Sequence, residues 1–199
     1  MGDGGSVAGI TKDFFGDEVV LEECLREGEK EALFTVVKLL LEAPFRAVGP
    51  REPERVYEEI VLDSLAPAVL SCLGGMGGAD EAWDVGCGAG IPTIPLALLL
   101  PDKRFLGIDS TVKKVRWGRE MARRLELRNC RFVEARLPAE YEACIKRRKK
   151  RRGRERQAPV FFRAVGRIEK IADILFRTPL WTRPVVIFSA EARIKEAAR

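Results

Sequence analysis

A glycine-rich loop at residues 84–92 constrains the fold of this chain more than any other feature. It reads Asp-Val-Gly-Cys-Gly-Ala-Gly-Ile-Pro, and its glycines are Gly86, Gly88 and Gly90. An apolar segment typical of a buried strand precedes the loop, and an apolar segment that begins with proline and is typical of a helix follows it. This order predicts a ligand-binding turn at the carboxyl edge of a parallel sheet.

The alternation of strand and helix continues along the chain. Five strands are predicted, at residues 81–86, 104–109, 130–135, 159–165 and 184–188. Helices are predicted between them, at residues 91–100, 112–127, 139–150 and 167–177, and a short helix is predicted to close the chain. Together these elements predict an α/β fold, a mainly parallel sheet with helices on both faces.

A helical N-terminal extension is predicted to precede this core. Residues 18–45 have apolar positions at helical spacing, with a break at Gly28, and residues 53–73 form a second helical segment. We expect residues 1–77 to pack on the core, residues 78–199, within one structural unit.

Composition excludes several classes of site. The chain has no histidine, and its five cysteines are scattered without a Cys-x-x-Cys motif. This pattern argues against zinc, against a disulfide framework, and against Ser-His or Cys-His catalysis. With neither a signal peptide pattern nor an apolar run of about 18 residues, we expect a cytoplasmic protein without a membrane partner. Cys87, although it lies in the glycine loop, is interpreted as a small residue that fits there.

Positive charge is concentrated in one segment. Residues 146–156 hold nine basic residues and one glutamate, whereas the net charge of the whole chain is +5, so the rest of the chain is slightly acidic. A dense basic block of this kind favours phosphate binding through counterion release. The alternative is a solvated run of charge without a partner.

Two acidic residues indicate which ligand the loop binds. Asp84 at the end of the first strand would repel a diphosphate, and no Gly-Lys-Ser/Thr of a phosphate loop follows. A cationic ligand without phosphate, S-adenosylmethionine, suits a carboxylate there. Asp109, 19 residues beyond Gly90 at the end of the second strand, is at the usual distance for an acid that binds ribose hydroxyls.

At this point the sequence resembles a known family. The segment DVGCGAGIPTIPLALLLPDKRFLGIDSTVKKVRW, together with Val-Leu-Asp-Ser-Leu-Ala-Pro at 61–67 and Phe-Arg-Ala-Val at 162–165, resembles the RsmG/GidB family. These are bacterial methyltransferases that modify guanine N7 in small-subunit ribosomal RNA. The resemblance implies a Rossmann-like class I S-adenosylmethionine-dependent methyltransferase fold.

The resemblance also implies residue roles. Gly86 and Ile91 would contact the cofactor from the loop, and Gly88 and Gly90 would shape it. Leu137 and Pro138 would meet the adenine, in addition to the cofactor-binding acids Asp84 and Asp109. Arg163 falls on the family's arginine beside cofactor and target, so it is a cofactor-binding residue and the one catalytic candidate. The candidate RNA-binding residues are Lys113, Lys114 and Arg116, followed by Lys146, Arg147, Arg148, Lys149, Lys150, Arg151 and Arg152 from the basic segment.

The sequence departs from the family pattern in places. Ile60 stands where the family has histidine, Ser189-Ala190 replaces its Lys-Gly, and the long final hairpin is not found. Alternative interpretations are therefore a degenerate homologue that binds RNA without methyl transfer, or a methyltransferase for another substrate. Asp63 and Ser64 either cap or buttress the pocket, or take part only in local packing.

Overall fold

The computed structural model describes residues 25–65, 79–146, 158–163 and 165–188 of the 199-residue chain. Within these ranges the strands are β1 (Glu81–Val85), β2 (Arg104–Asp109), β3 (Cys130–Glu134), β4 (Val160–Arg163) and β5 (Val185–Phe188). The helices are α1 (Glu27–Leu41), α2 (Pro53–Val56), α3 (Thr93–Leu99), α4 (Val112–Arg124), α5 (Tyr141–Lys146) and α6 (Ile168–Phe176). None of the described helices is long and apolar enough to cross a membrane.

The strands form one sheet in the order β3-β2-β1-β4-β5, and all four neighbouring pairs are parallel. This confirms the predicted α/β fold, and each predicted strand overlaps an observed one. The strand order reverses between β1 and β4, because the chain moves outward on one side of β1 and returns to the other side. Ligands of open parallel sheets bind at the carboxyl edge beside such a reversal.

Each face of the sheet is covered by its own apolar cluster. Side chains alternate between faces along a strand, and in β1 Ala82 joins one cluster while Trp83 joins the other. The Ala82 side is covered by α1, α3 and α4, and the Trp83 side by α5 and α6. Helices therefore pack on both faces, as predicted.

The N-terminal helices complete the first of these layers. Leu33, Val36 and Leu40 of α1 are buried in the same cluster as residues of α3 and α4. At the surface, the Glu42 carboxylate after α1 pairs with the Arg124 guanidinium at the end of α4, with 2.9 Å between Oε2 and Nη1. The expected boundary at residues 77 and 78, and the predicted closing helix, lie outside the described residues.

Two helices differ from their predicted form. The helix predicted over residues 112–127 ends at Arg124 because Glu126 adopts a left-handed φ of 54°. The Glu126 N–H donates to the Arg123 carbonyl, and the Leu127 N–H donates to the Ala122 carbonyl. This is the hydrogen-bond pattern of a Schellman-type helix end. The segment predicted as one helix from residue 53 is regular only to Val56.

After α2 the helical turns first become wider and then narrower. Residues Tyr57–Leu62 form a π-helical turn and Asp63–Leu65 a 3-10 turn. Single π-helical turns are rare and occur often at functional sites. The turn therefore directs attention to what its backbone contacts.

Candidate functional site

The glycine loop connects β1 to α3 and lies at the carboxyl edge of the sheet. Gly86, Gly88 and Gly90 have φ values of 81°, 56° and 107°, which side chains with a Cβ rarely adopt. The loop is fastened to β2, because the Gly86 and Cys87 N–H groups both donate to the Ile108 carbonyl, at 2.7 and 3.1 Å.

The three glycines differ in their surroundings. A Cβ at Gly86 would lie 2.6 Å from the Val165 side chain, and one at Gly90 would lie 2.8 Å from that of Ile94. At Gly88, by contrast, no atom of the described residues, its chain neighbours aside, lies within 4 Å of the position that a Cβ would take. The outer glycines are thus packed against protein, while the middle one borders open space that a ligand could enter.

Asp84 lies below the loop and is only 1% exposed. Its Oδ2 accepts hydrogen bonds from the Thr93 hydroxyl at 2.6 Å and the Thr93 N–H at 3.2 Å. Its Oδ1 is buried and has no hydrogen-bond partner within the described residues. The sequence placed this carboxylate correctly at the loop but did not predict its burial or its hydrogen bonds to Thr93. The available signal for that partner was Thr93 itself, a hydroxyl side chain in an otherwise apolar helix.

Burial raises the pKa of the Asp84 carboxyl to about 7. The Thr93 hydrogen bonds and the positive charge of Arg163 act in the opposite direction, and the negative charge of Asp109 adds to the increase in pKa. An unpartnered, buried acid oxygen of this kind favours a ligand that brings a positive charge or a donor.

Asp109 connects the end of β2 to the loop. Its Oδ2 accepts the Gly88 N–H at 3.0 Å and its Oδ1 accepts the Thr111 N–H at 2.8 Å. Each carboxylate oxygen has a second lone pair, so both can still accept a ligand hydroxyl. The carboxylate therefore fixes the loop and remains able to bind a diol.

The other predicted cofactor residues flank this edge on both faces. Ile91 is buried in the cluster beneath α3, and Leu137 in the cluster beneath α5. Pro138 follows at the half-buried surface. The Ala135 N–H donates to the Asp109 carbonyl at 3.1 Å, which brings the segment after β3 against the end of β2.

Arg163 is the last residue of β4, and 14% of its side chain is exposed. Its Nη1 donates to the Asp63 Oδ2 at 2.5 Å, and its Nη2 donates to the Glu59 carbonyl at 3.2 Å. The guanidinium carbon lies 5.4 Å from the centre of the Phe188 ring. Sequence reasoning singled out both Arg163 and Asp63, but not their pairing.

The predicted RNA-binding residues divide into two groups. Lys113 and Arg116 are exposed and Lys114 is half-buried on the first turns of α4, and the Lys113 Nζ lies 5.5 Å from the centre of the Phe45 ring. No acid lies in the first turn of this helix. Lys146 ends α5 without a described side chain, and Arg147, Arg148, Lys149, Lys150, Arg151 and Arg152 lie outside the described residues.

Two further residues of the loop region have structural roles. Cys87 is 1% exposed and its pKa is raised well above the ordinary thiol value, chiefly by burial, as expected for packing and not for a nucleophile. Phe132 of β3 packs against three glycines. Its ring lies within 3.3 Å of the positions that a Cβ would take at Gly90, Gly107 and Gly118.

Solved structures show which fold this is. The N-terminal domain of human METTL16, solved in complex with SAH, aligns with a TM-score of 0.52 and 14% identity over 88% of this chain and 74% of that chain. A putative caffeoyl-CoA O-methyltransferase from Staphylococcus aureus aligns with a TM-score of 0.51 and 14% identity over 89% of this chain and 72% of that chain. The fold is Rossmann-like, of the class I methyltransferase type.

Several curated relatives share one name. The ribosomal RNA small subunit methyltransferase G of Alkalilimnicola ehrlichii is 40% identical over 115 residues, 57% of this chain and 50% of that protein. The protein of that name from Rubrobacter xylanophilus is 40% identical over 113 residues, 56% of this chain and 42% of that protein. The chain spans about half the length of the curated relatives it matches.

A family model covers more of the sequence than these alignments do. It matches residues 31–196, from within α1 to beyond β5, and so includes the glycine loop, Asp63 and Arg163. The chain therefore belongs to the GidB family, whose description is rRNA small subunit methyltransferase G.

Proposed function

We propose that this protein binds S-adenosylmethionine at the glycine loop and transfers its methyl group to guanine N7 in small-subunit ribosomal RNA. The observation that carries the proposal is the Asp84 Oδ1 atom, which is buried under the loop without a hydrogen-bond partner in the described residues. Family membership supports the reaction and the RNA substrate. Action on ribosomal RNA implies a cytoplasmic location.

The residues at this edge fit that cofactor. S-adenosylmethionine carries an ammonium and a sulfonium group and no phosphate. The Asp84 carboxyl, with its pKa near neutrality, becomes an anion more readily when a cation binds beside it. A diphosphate would instead meet Asp84 and Asp109, two acids at the same loop, and the repulsion between like charges would weaken its binding.

The loop glycines and their neighbours give the cofactor a shaped surface. Open space at Gly88 lets a ligand approach the backbone closely, and the spare lone pairs of Asp109 suit ribose hydroxyls. Ile91 and Leu137, from opposite faces of the sheet, would exclude water from the adenine.

The proposed reaction needs no acid or base from the protein. Guanine N7 has a lone pair and no proton, so its attack on a methyl carbon needs no general base. Bound S-adenosylmethionine supplies the activated methyl group. The residues have only to align nucleophile and methyl carbon, which is catalysis by proximity and orientation, and Arg163 at the end of β4 is the candidate for positioning the base.

The start of α4 is the proposed RNA contact within the described residues. Lys113, Lys114 and Arg116 cluster where the positive end of the helix dipole disfavours cations, and no described acid is paired with them. A phosphate bound there would offset both the dipole and the mutual repulsion. Contacts of this kind position RNA without reading its sequence.

Two experiments test the proposal in order. Calorimetry should detect S-adenosylmethionine binding and no NAD binding, and Asp84→Asn should weaken the cofactor by tenfold or more above pH 7, because the variant cannot form the anion. Labelled cofactor incubated with small subunits lacking the modification should then place methyl on guanine N7.

Each negative result has a defined meaning. NAD binding in place of the cofactor would overturn the cofactor assignment. Binding of cofactor and RNA without methyl transfer would support the degenerate homologue, and methylation elsewhere would support a different substrate. Glu81→Gln at the opposite end of β1 is the matched control, because it removes an acid from the same strand without altering the loop.

A further inference from the structure

Arg163 is held from three directions by parts of the chain that are distant in sequence. Asp63 and the Glu59 carbonyl bind the two terminal guanidinium nitrogens, and the ring of Phe188 in β5 lies beside the guanidinium group. A long side chain loses considerable rotamer freedom when it is fixed in this way. Its position is therefore defined by its partners.

The π-helical turn changes which backbone donor the Glu59 carbonyl would meet. In an α-helix the N–H of residue 63 would donate to the carbonyl of residue 59. Here the Asp63 N–H is directed to the Ile60 and Val61 carbonyls instead. The widened turn thus presents a backbone acceptor and the Asp63 carboxylate to one guanidinium.

Arg163 also lies beside the glycine loop. Parallel pairing of β1 with β4 places Val85 opposite Phe162, so the next pair in the register is Gly86 and Arg163. The positive charge of Arg163 lowers the pKa of the Asp84 carboxyl, and the Val165 side chain two residues further on packs against Gly86.

We propose that Asp63 is a positioning residue, which holds the Arg163 guanidinium beside the glycine loop and so makes the N-terminal helical extension part of the cofactor site. This inference rests on the proposed function, in which Arg163 is the candidate for positioning the target base. Removal of Asp63 frees the arginine, and the cofactor pocket loses its ordered cation while its glycines and acids remain.

The test compares Asp63→Asn with Arg163→Gln, the double variant, and Glu59→Gln as matched control. Glu59→Gln removes an exposed carboxylate from the same turn, one that pairs only with Arg55 in the described residues, and it leaves the Glu59 carbonyl in place. At a pH well above 7, where Asp84 is ionised in both proteins, Asp63→Asn is expected to lower kcat by about tenfold with KM for the cofactor within about twofold, because orientation and not affinity is lost there. The double variant should be no slower than Arg163→Gln.

The pH dependence of cofactor affinity gives a readout that does not need turnover. If Arg163 leaves its place, Asp84 loses a cation that lowers its pKa, and the pH midpoint of cofactor binding moves upward in Asp63→Asn. An unchanged or lower midpoint would overturn the inference, as would equal kinetics in Asp63→Asn and Glu59→Gln. A purely structural ion pair would lower the thermal midpoint and leave both readouts unchanged.

A crystal structure of Asp63→Asn separates this inference from the proposed function. A guanidinium displaced from the Glu59 carbonyl and the Phe188 ring supports positioning by Asp63, whether or not the wild type transfers methyl. A guanidinium that stays in place refutes it. Failure of the wild type to methylate RNA, with the arginine displaced in the variant, would refute the proposed function alone.

Discussion

The glycine loop and the first turns of α4 lie at the same edge of the sheet but are built on opposite principles. In the loop, buried groups pack against each other at short range, and glycine is favoured where φ is positive. On α4, Lys113 and Arg116 are exposed and Lys114 is half-buried, and all three side chains carry a positive charge. The glycine loop depends on close packing, whereas the α4 surface depends on the summed charge of separate side chains.

The difference predicts how each region responds to change. A packed loop responds steeply to a single methyl group, because interiors are as dense as organic crystals. A cationic surface loses binding in small steps, and its contribution declines with ionic strength.

Asp84 should produce the largest effect, through pH. Its pKa is about 7 in the folded chain and 3.8 when exposed, so only the folded state holds the proton between these values, and stability falls as pH rises from about 4 to 7. Since one pKa unit corresponds to about 1.4 kcal/mol, the loss from this group is roughly 4 kcal/mol. Urea titrations across this range should show the slope, and Asp84→Asn should flatten it. A slope equal in the variant would show that Asp84 titrates normally.

Gly90→Ala should have the next largest effect. The new methyl group would lie 2.8 Å from Ile94 Cγ1 at a φ of 107°, so strain and overpacking together should lower the free energy of unfolding by about 2 to 4 kcal/mol. In Gly88→Ala the new methyl group would meet no other part of the described structure within 4 Å, so the substitution should cost only about 1 kcal/mol. Equal losses in thermal unfolding would contradict the distinction between packed and open glycines.

The α4 cations should give smaller and additive effects. Lys113→Gln, Lys114→Gln and Arg116→Gln are each expected to weaken RNA binding about threefold and to reduce the salt slope by about one. Arg123→Gln, at the far end of the helix where Arg123 pairs with Glu120, is the control and should leave the slope unchanged. A steep loss from one lysine alone would show a specific contact instead of a charged surface.

Cys87→Ala should have the smallest effect on activity. The thiol is buried and its pKa is raised, so methyl transfer should stay within about twofold of wild type at a temperature where both proteins are folded. Loss of activity without loss of stability would identify Cys87 as a reacting group.

Sequence patterns predicted the sheet and the loop well because both depend on local signals. A short, mostly apolar run marks a strand that is buried on both faces of a parallel sheet, so β2 was predicted from Arg104 to Asp109, as observed. The end of α4 was missed because Glu126 takes a left-handed turn that usually carries glycine.

The remaining features depend on contacts across the chain. The π-helical turn follows an ordinary helical pattern in sequence, and its Glu59 carbonyl contacts Arg163, which is distant in sequence. Likewise, the placement of Val165, Ile94 and Phe132 distinguishes the packed glycines from the open one. Intrinsic helix propensity predicts little where tertiary contacts determine the local conformation.

Phe132 has a consequence for the evolution of this family. Its ring lies against Gly90 of the loop, Gly107 of β2 and Gly118 of α4. A Cβ at Gly107 or Gly118 would lie only 2.7 or 2.9 Å from the ring. Among relatives, the four positions should therefore co-vary, with alanine at 118 accompanied by a smaller side chain at 132. The pair Gly118→Ala and Phe132→Leu should accordingly be less damaging than the sum of its parts.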